Sequence, residues 1–156
     1  MKINQVILAE MQKNNNTITT AQVVELGFSR AILSKYVKEG LLERMVIRDI
    51  AAKESAVIVG RCADYILADR ENTINVFIHA PLEARIKRIM ELYNLDEAAA
   101  MKEITTSDKE RGNHYFRYTD RKWGKAQNYD VCINSALMGI DKTVEMLADL
   151  AQIEER

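Results

Sequence analysis

Three short apolar runs constrain the fold more than any other feature of this chain. They lie at residues 56–59 in "ESAVIVGR", 74–79 in "TINVFIHA" and around 131–133 in "NYDVCINS". Each is too short for a helix and rich in β-branched residues, and the first runs straight into a glycine, so each predicts a buried strand. The stretches between them carry helical patterning. "VIRDIAAKE" at 46–54 precedes the first strand, residues 63–68 and 82–92 follow, and Pro81 stands where a helix can open. Another helix is predicted from about Glu97 to Asp108 behind an Asp96 cap, and one from Ile140 to Gln152 closes the chain. Short strands alternating with helices predict a parallel sheet, whose ligands bind at the carboxyl ends of the strands. Arg61, directly after Gly60, falls at such an end, and His79 at another reads as a hydrogen-bonded core residue.

Between the second and third strands lies the stretch "SDKERGNHYFRYTDRKWG". Here Lys109, Arg111, Arg117, Arg121 and Lys122 are interleaved with Tyr115, Phe116, Tyr118 and Trp123. A hinged lid of cations can stabilise charge on a transferring phosphoryl group while excluding water. The same residues fit a solvated loop, or a nucleic-acid surface of cations and stacking rings, equally well.

Composition narrows the class. The 156 residues are 47% hydrophobic and 29% charged, ordinary for a globular protein. The net charge of -1 conceals an asymmetry: residues 1–48 carry seven cations against four carboxylates, a balance of +3, which leaves −4 for the rest. The two parts therefore suit different partners. Cys62 and Cys132 show no metal-ligand spacing and read as reduced thiols in strand-end packing, so no intrinsic metal site is predicted. No stretch approaches the roughly 18 apolar residues of a membrane helix, and no signal-peptide core is evident, which points to a cytoplasmic protein.

The first segment has its own logic. "NQVILAEMQK" predicts a helix that "NNN" stops, and Thr19 or Thr20 can cap a second that Gly27 ends. Ser29 can cap a third, ended by Gly40, making a helix-turn-helix candidate. In that third helix Ile32, Leu33, Tyr36 and Val37 form the expected buried face, while Arg30, Ser34, Lys35 and Lys38 lie largely opposite. The exposed set suits phosphates and base edges of duplex DNA, although spacing alone favours a solvated amphipathic helix in a structural bundle. Over residues 1–44, and above all in "TTAQVVELGFSRAILSKYVKEGLLER", the chain resembles the N-terminal helix-turn-helix domain of AbiEi-type antitoxins. The β-hairpin wing expected after "GLLER" is replaced by "MVIRDIAAKES".

Residues 47 to about 150 resemble a second family, the cytidylate kinase-like branch of the P-loop nucleoside monophosphate kinases. The matching motifs are "IRDIAAKESAVIVGRCADYIL", "VFIHAPLEARIKRI", "SDKERGNHYFRYTDRKWG" and "NYDVCINSALMGIDKTVEML", in family order. The resemblance implies ATP- and magnesium-dependent phosphorylation of a nucleoside monophosphate such as CMP. It implies that Arg61, with Asp64, holds the acceptor nucleotide, that Arg85 lies at the base of the lid, and that Asp108 orients the lid cations Lys109 and Arg111. Asn134 and Ser135 would border the nucleotide base.

Such kinases open with a strand and a G-x-x-x-x-G-K-[ST] loop whose amides and lysine cradle the donor phosphates. This sequence contains no such loop; its one Gly-Lys pair, Gly124-Lys125, is followed by Ala126. The resemblance places the strand before that loop between those of Val57 and Val76. Its loss predicts unpaired inner edges, each unmet buried backbone group costing on the order of 1 to 3 kcal/mol, and hence self-association. The expected architecture is thus α/β: a small all-α helix-turn-helix segment over 1–45, then an incomplete three-layer P-loop kinase-like parallel sheet with helices over 46–156. The expected function is that of a cytidylate kinase-like phosphotransferase, inactive alone; the alternative is a DNA-binding regulator.

Overall fold

The computed structural model describes residues 3–14 and 17–152. Contacts divide the chain into two compact units, residues 1–66 and 67–156. Among the described residues the first is built of helices alone: α1 (Gln5–Lys13), α2 (Thr20–Glu25), α3 (Ala31–Lys38), α4 (Leu41–Lys53) and α5 (Ala63–Ile66).

Local chemistry sets these helix ends. The Thr19 side chain accepts from the Gln22 amide while Gln22 Oε1 accepts from the Thr19 amide, a reciprocal cap at the start of α2. Ser29 Oγ accepts from the Ala31 amide at 3.3 Å as α3 begins. Gly40, with φ +66°, supplies the left-handed turn between α3 and α4. Asn14 ends α1, while Asn15 and Asn16 lie outside the described residues. Ile7, Met11, Val23 and Tyr36 are buried together, and Phe28, Ile32 and Leu33 pack on them. The Tyr36 hydroxyl accepts from the Asn4 amide at 2.9 Å, satisfying a polar group at the margin of this core. Val37, expected on the buried face, is exposed instead. It stands one position round from Tyr36, beyond the reach of the stripe that this small core covers.

The first expected strand does not form. Residues 55–59 adopt no regular structure, and Val57 and Val59 are 95% and 87% exposed. A strand needs a neighbour for its amides and carbonyls, and the described part of this unit offers only helices. The segment ends in three successive residues of positive φ, Gly60, Arg61 and Cys62 at +73°, +55° and +55°. That left-handed turn costs on the order of 1 to 2 kcal/mol at each non-glycine residue. It feeds α5 through bonds from the Ala63 amide to the Gly60 carbonyl and from the Ile66 amide to the Cys62 carbonyl.

The second unit contains β1 (Val76–His79), α6 (Leu82–Tyr93), α7 (Glu97–Thr119), a single 3-10 turn at Ala126–Asn128, β2 (Val131–Asn134), α8 (Ser135–Met138) and α9 (Ile140–Gln152). The strands β1 and β2 pair in parallel, from Val76 opposite Val131 to His79 opposite Asn134. Among the described residues the sheet has these two strands, not the three expected, because the 56–59 run stays out of it. Asp130 Oδ2 accepts from the Asn75 amide at 2.7 Å and fixes the register at the lower end. Phe77 stacks on Tyr129 with ring centres 4.9 Å apart and meets the edge of Trp123 at 5.5 Å. Gly124, with φ +71°, lies so close that a Cβ there would stand 3.0 Å from Phe77 Cζ. His79 is exposed and stacks loosely on Phe77, and Cys132 is exposed, so neither is the packing residue expected. A two-stranded sheet has too little area to enclose both.

The helices α6 and α7 pack through Ile86, Ala100 and Ile104, with Ile89 and Met90 beside them. Asp96 Oδ1 caps α7 through the Ala99 amide at 2.7 Å. The expected helix is then overrun: α7 does not stop near Asp108 but runs on to Thr119, 23 residues in all. The lid stretch is therefore largely helix rather than loop. Gly112 is accommodated in it, and buried Tyr115 and Thr119 hold its far end. Among the described residues no helix is long and apolar enough to cross a membrane.

Candidate functional site

Three groups of candidate residues emerge, and the structure assembles each differently. The first is the α6–α7 pair. Arg85 lies one turn into α6 and Asp108 at the middle of α7, 23 positions on. The two guanidinium nitrogens Nη1 and Nη2 donate to Oδ2 and Oδ1 of Asp108, both at 2.7 Å. Both side chains are about 30% exposed (30% and 31%). The hydrogen bonds to Asp108 raise the Arg85 pKa and outweigh the opposing effect of burial, so Arg85 is a fixed cation. Arg111, one turn beyond, approaches the same carboxylate at 3.7 Å, and Lys109 stands exposed beside it. The sequence named all four; the structure joins Arg85, Asp108 and Arg111.

The second group sits at the carboxyl ends of the strands. Asn134 ends β2 opposite His79, and its Oδ1 accepts from the Ala136 amide at 3.1 Å as α8 begins. Ser135 Oγ donates to the His79 carbonyl at 3.3 Å, tying the two strand ends together. His79 was read from the sequence as core, and the sequence holds no local sign that it would stand exposed at this edge.

The third group belongs to the first unit. Arg61 is exposed and its Nη1 donates to Glu43 Oε1 at 3.0 Å. The sequence did not mark Glu43, which lies 18 positions away on α4. Asp64 is in the first turn of α5. Burial pushes the neighbouring Cys62 thiol up to about 11, aided by the charges of Asp64 and Glu43, so this thiol is a poor nucleophile at neutral pH. Arg30, Ser34, Lys35 and Lys38 are all exposed on or beside α3.

A cavity of about 260 Å³ does lie between α6 and α7, lined by Glu83, Ile86, Lys87, Met90, Glu91 and Glu97. Three carboxylates against one lysine make it a poor receptor for phosphate. Asp108, the carboxylate at the centre of the cationic group, already has both oxygens on Arg85. Among the described residues no three His, Cys, Asp or Glu side chains converge on one point.

The sequence model of the cytidylate kinase-like family matches residues 3–137. The match runs through the helical first segment as well as the α/β part. The cytidylate kinase of Ignicoccus hospitalis is 26% identical over 106 residues, covering 68% of this chain and 60% of that protein. The cytidylate kinase of Staphylothermus marinus is 26% identical over 102 residues, 65% of this chain and 57% of that one. A uronate isomerase of Corynebacterium glutamicum is 25% identical over 155 residues, 92% of this chain but 30% of that protein. A crystal structure of an uncharacterized protein from Eubacterium ventriosum superposes with a TM-score of 0.69 at 35% identity, over 72% of this chain and 64% of that one. The chain thus spans from 30% to 64% of the length of these relatives.

Proposed function

The chain belongs to the cytidylate kinase-like family, and on that premise we propose that it carries the acceptor side of a nucleoside monophosphate site without transferring phosphate by itself. The observation that carries this reading is the two-pronged Arg85–Asp108 pair, whose carboxylate also holds the Arg111 guanidinium at 3.7 Å and so keeps that cation in place on α7. A fixed cation needs no reorganisation when a phosphate arrives, which is the form that electrostatic assistance to phosphoryl groups takes.

In this reading Asn134 and Ser135, at the strand ends of the second unit, border the base of the acceptor nucleotide, and Lys109 and Arg111 on α7 are the cations over the transferring phosphate. Asn134 spends its oxygen on capping α8, which leaves its amide nitrogen as the donor toward a base. CMP is the substrate class that the family name and the two archaeal cytidylate kinases suggest. Positioning and charge neutralisation supply most of phosphoryl-transfer catalysis. The sequence has no phosphate-cradling loop for the donor, so in this reading the isolated chain does not transfer phosphate. A nucleotide role of this kind belongs in the cytoplasm.

The test is the melting temperature with saturating CMP and with ATP and magnesium, beside a direct assay for conversion of CMP to CDP. A ligand at 100 times its Kd adds about 2.7 kcal/mol of stability. Stabilisation by CMP alone is the expected result. Turnover at ordinary kinase rates of about 1 to 100 per second would sink the claim of inertness, and no response to CMP would sink the acceptor site.

A second reading rests on the first segment, taken as residues 1–45 preceding a kinase-like domain over 46–156. The capped α2, the turn at Gly27 with φ +83° and the exposed Arg30, Ser34, Lys35 and Lys38 suit duplex DNA, as in a regulator of the AbiEi type. DNA affinity should then fall steeply with salt and with Lys35→Ala combined with Lys38→Ala. Insensitivity to both refutes it.

A further inference from the structure

The carboxyl-terminal third of α7 and the turn after it are not absorbed by the nucleotide site. Residues 111–125 hold Arg111, Arg117, Arg121, Lys122 and Lys125 against the single carboxylate of Asp120, a net +4 in a chain whose total is -1. Because α7 runs unbroken to Thr119, the positions 113, 116 and 117 fall on one side of it. Asn113, Phe116 and Arg117 are all exposed there, Phe116 by 58%, while Tyr115 and Thr119 face the interior. The Arg117 guanidinium lies 6.0 Å from the ring centre of Tyr118, and His114 stands 4.7 Å from that same ring.

We propose that this end of α7, with the turn through Lys125, is a binding surface for single-stranded nucleic acid. Charge and shape both argue for that occupant. The cations match a polyphosphate backbone, and the exposed Phe116 ring offers a face on which an unpaired base stacks. A duplex hides the base faces. The surface goes beyond the acceptor site and uses none of its residues but Arg111.

The experiment is fluorescence anisotropy of the full chain with a labelled oligouridylate of about 20 nucleotides and with a duplex of the same length, across a salt series. Phe116→Ala should weaken single-strand binding roughly 5- to 150-fold while leaving its salt slope unchanged. Arg117→Gln should weaken it too and lower the slope by about 0.7. Both positions are exposed, so both variants should melt with the parent chain. The proposal is overturned if the single strand does not bind, or if binding ignores both substitutions. It is equally overturned if Lys35→Ala with Lys38→Ala abolishes binding, which would assign it to α3, or if CMP at equal nucleotide concentration displaces the strand, which would assign it to the nucleotide site.

Discussion

Arg85 and Asp108, 23 positions apart in sequence, meet through two hydrogen bonds of 2.7 Å that tie α6 to α7. Hydrogen bonds to charged groups contribute about 1.5 to 3 kcal/mol, and the geometry here is bidentate and partly buried. Asp108→Ala should therefore destabilise the second unit by about 1 to 3 kcal/mol, measured by urea unfolding. Arg85→Lys should recover little of a loss at this site, because an ammonium cannot supply the planar fork. Equal stability of the lysine variant and the parent would show that charge alone matters.

The raised Cys62 pKa predicts a pH dependence with a definite sign. A thiol that ionises near 9 in the unfolded chain and near 11 in the folded one holds its proton longer when folded. Its contribution is fully present below about pH 9 and is lost as pH rises toward 11. Cys62→Ala should flatten that decline. At mildly alkaline pH iodoacetamide should label exposed Cys132 well before buried Cys62, as read by peptide mass spectrometry; equal rates would contradict the burial.

Val57 and Val59 stand in water in a segment that pairs with no strand among the described residues, and an exposed apolar segment of this kind invites edge-to-edge association. Light scattering should show association that grows with concentration, and Val57→Lys with Val59→Lys should suppress it. A monodisperse monomer of the parent chain at high concentration would defeat the idea.

Gly124 combines a positive φ with an approach to Phe77 so close that a methyl group would push the ring by a few tenths of an ångström. Gly124→Ala should cost on the order of 1 to 2 kcal/mol from backbone strain alone, and more if the Phe77, Trp123 and Tyr129 rings shift. An unchanged melting temperature would mean that the ring cluster yields freely.

The sequence by itself determined the features whose physics is local. The caps at Thr19 and Asp96, the left-handed turns at Gly27 and Gly40, and the α6 and α9 spans all stand where residue type and spacing place them. So does the parallel pairing of the runs at Val76 and Val131, each apolar enough to cover the other. The candidate residues Arg85, Asp108, Asn134 and Ser135 could be named in advance, but not their partners. Only the tertiary structure decided that Arg61 would turn to Glu43, that the lid cations would ride on a continued helix, and that the "AVIV" run would remain unpaired. A helix satisfies its hydrogen bonds within its own segment, so its pattern is readable along the chain. A strand or an ion pair is completed by residues far away in sequence, and where the partner does not arrive, as at Val57, an identical local pattern yields no strand.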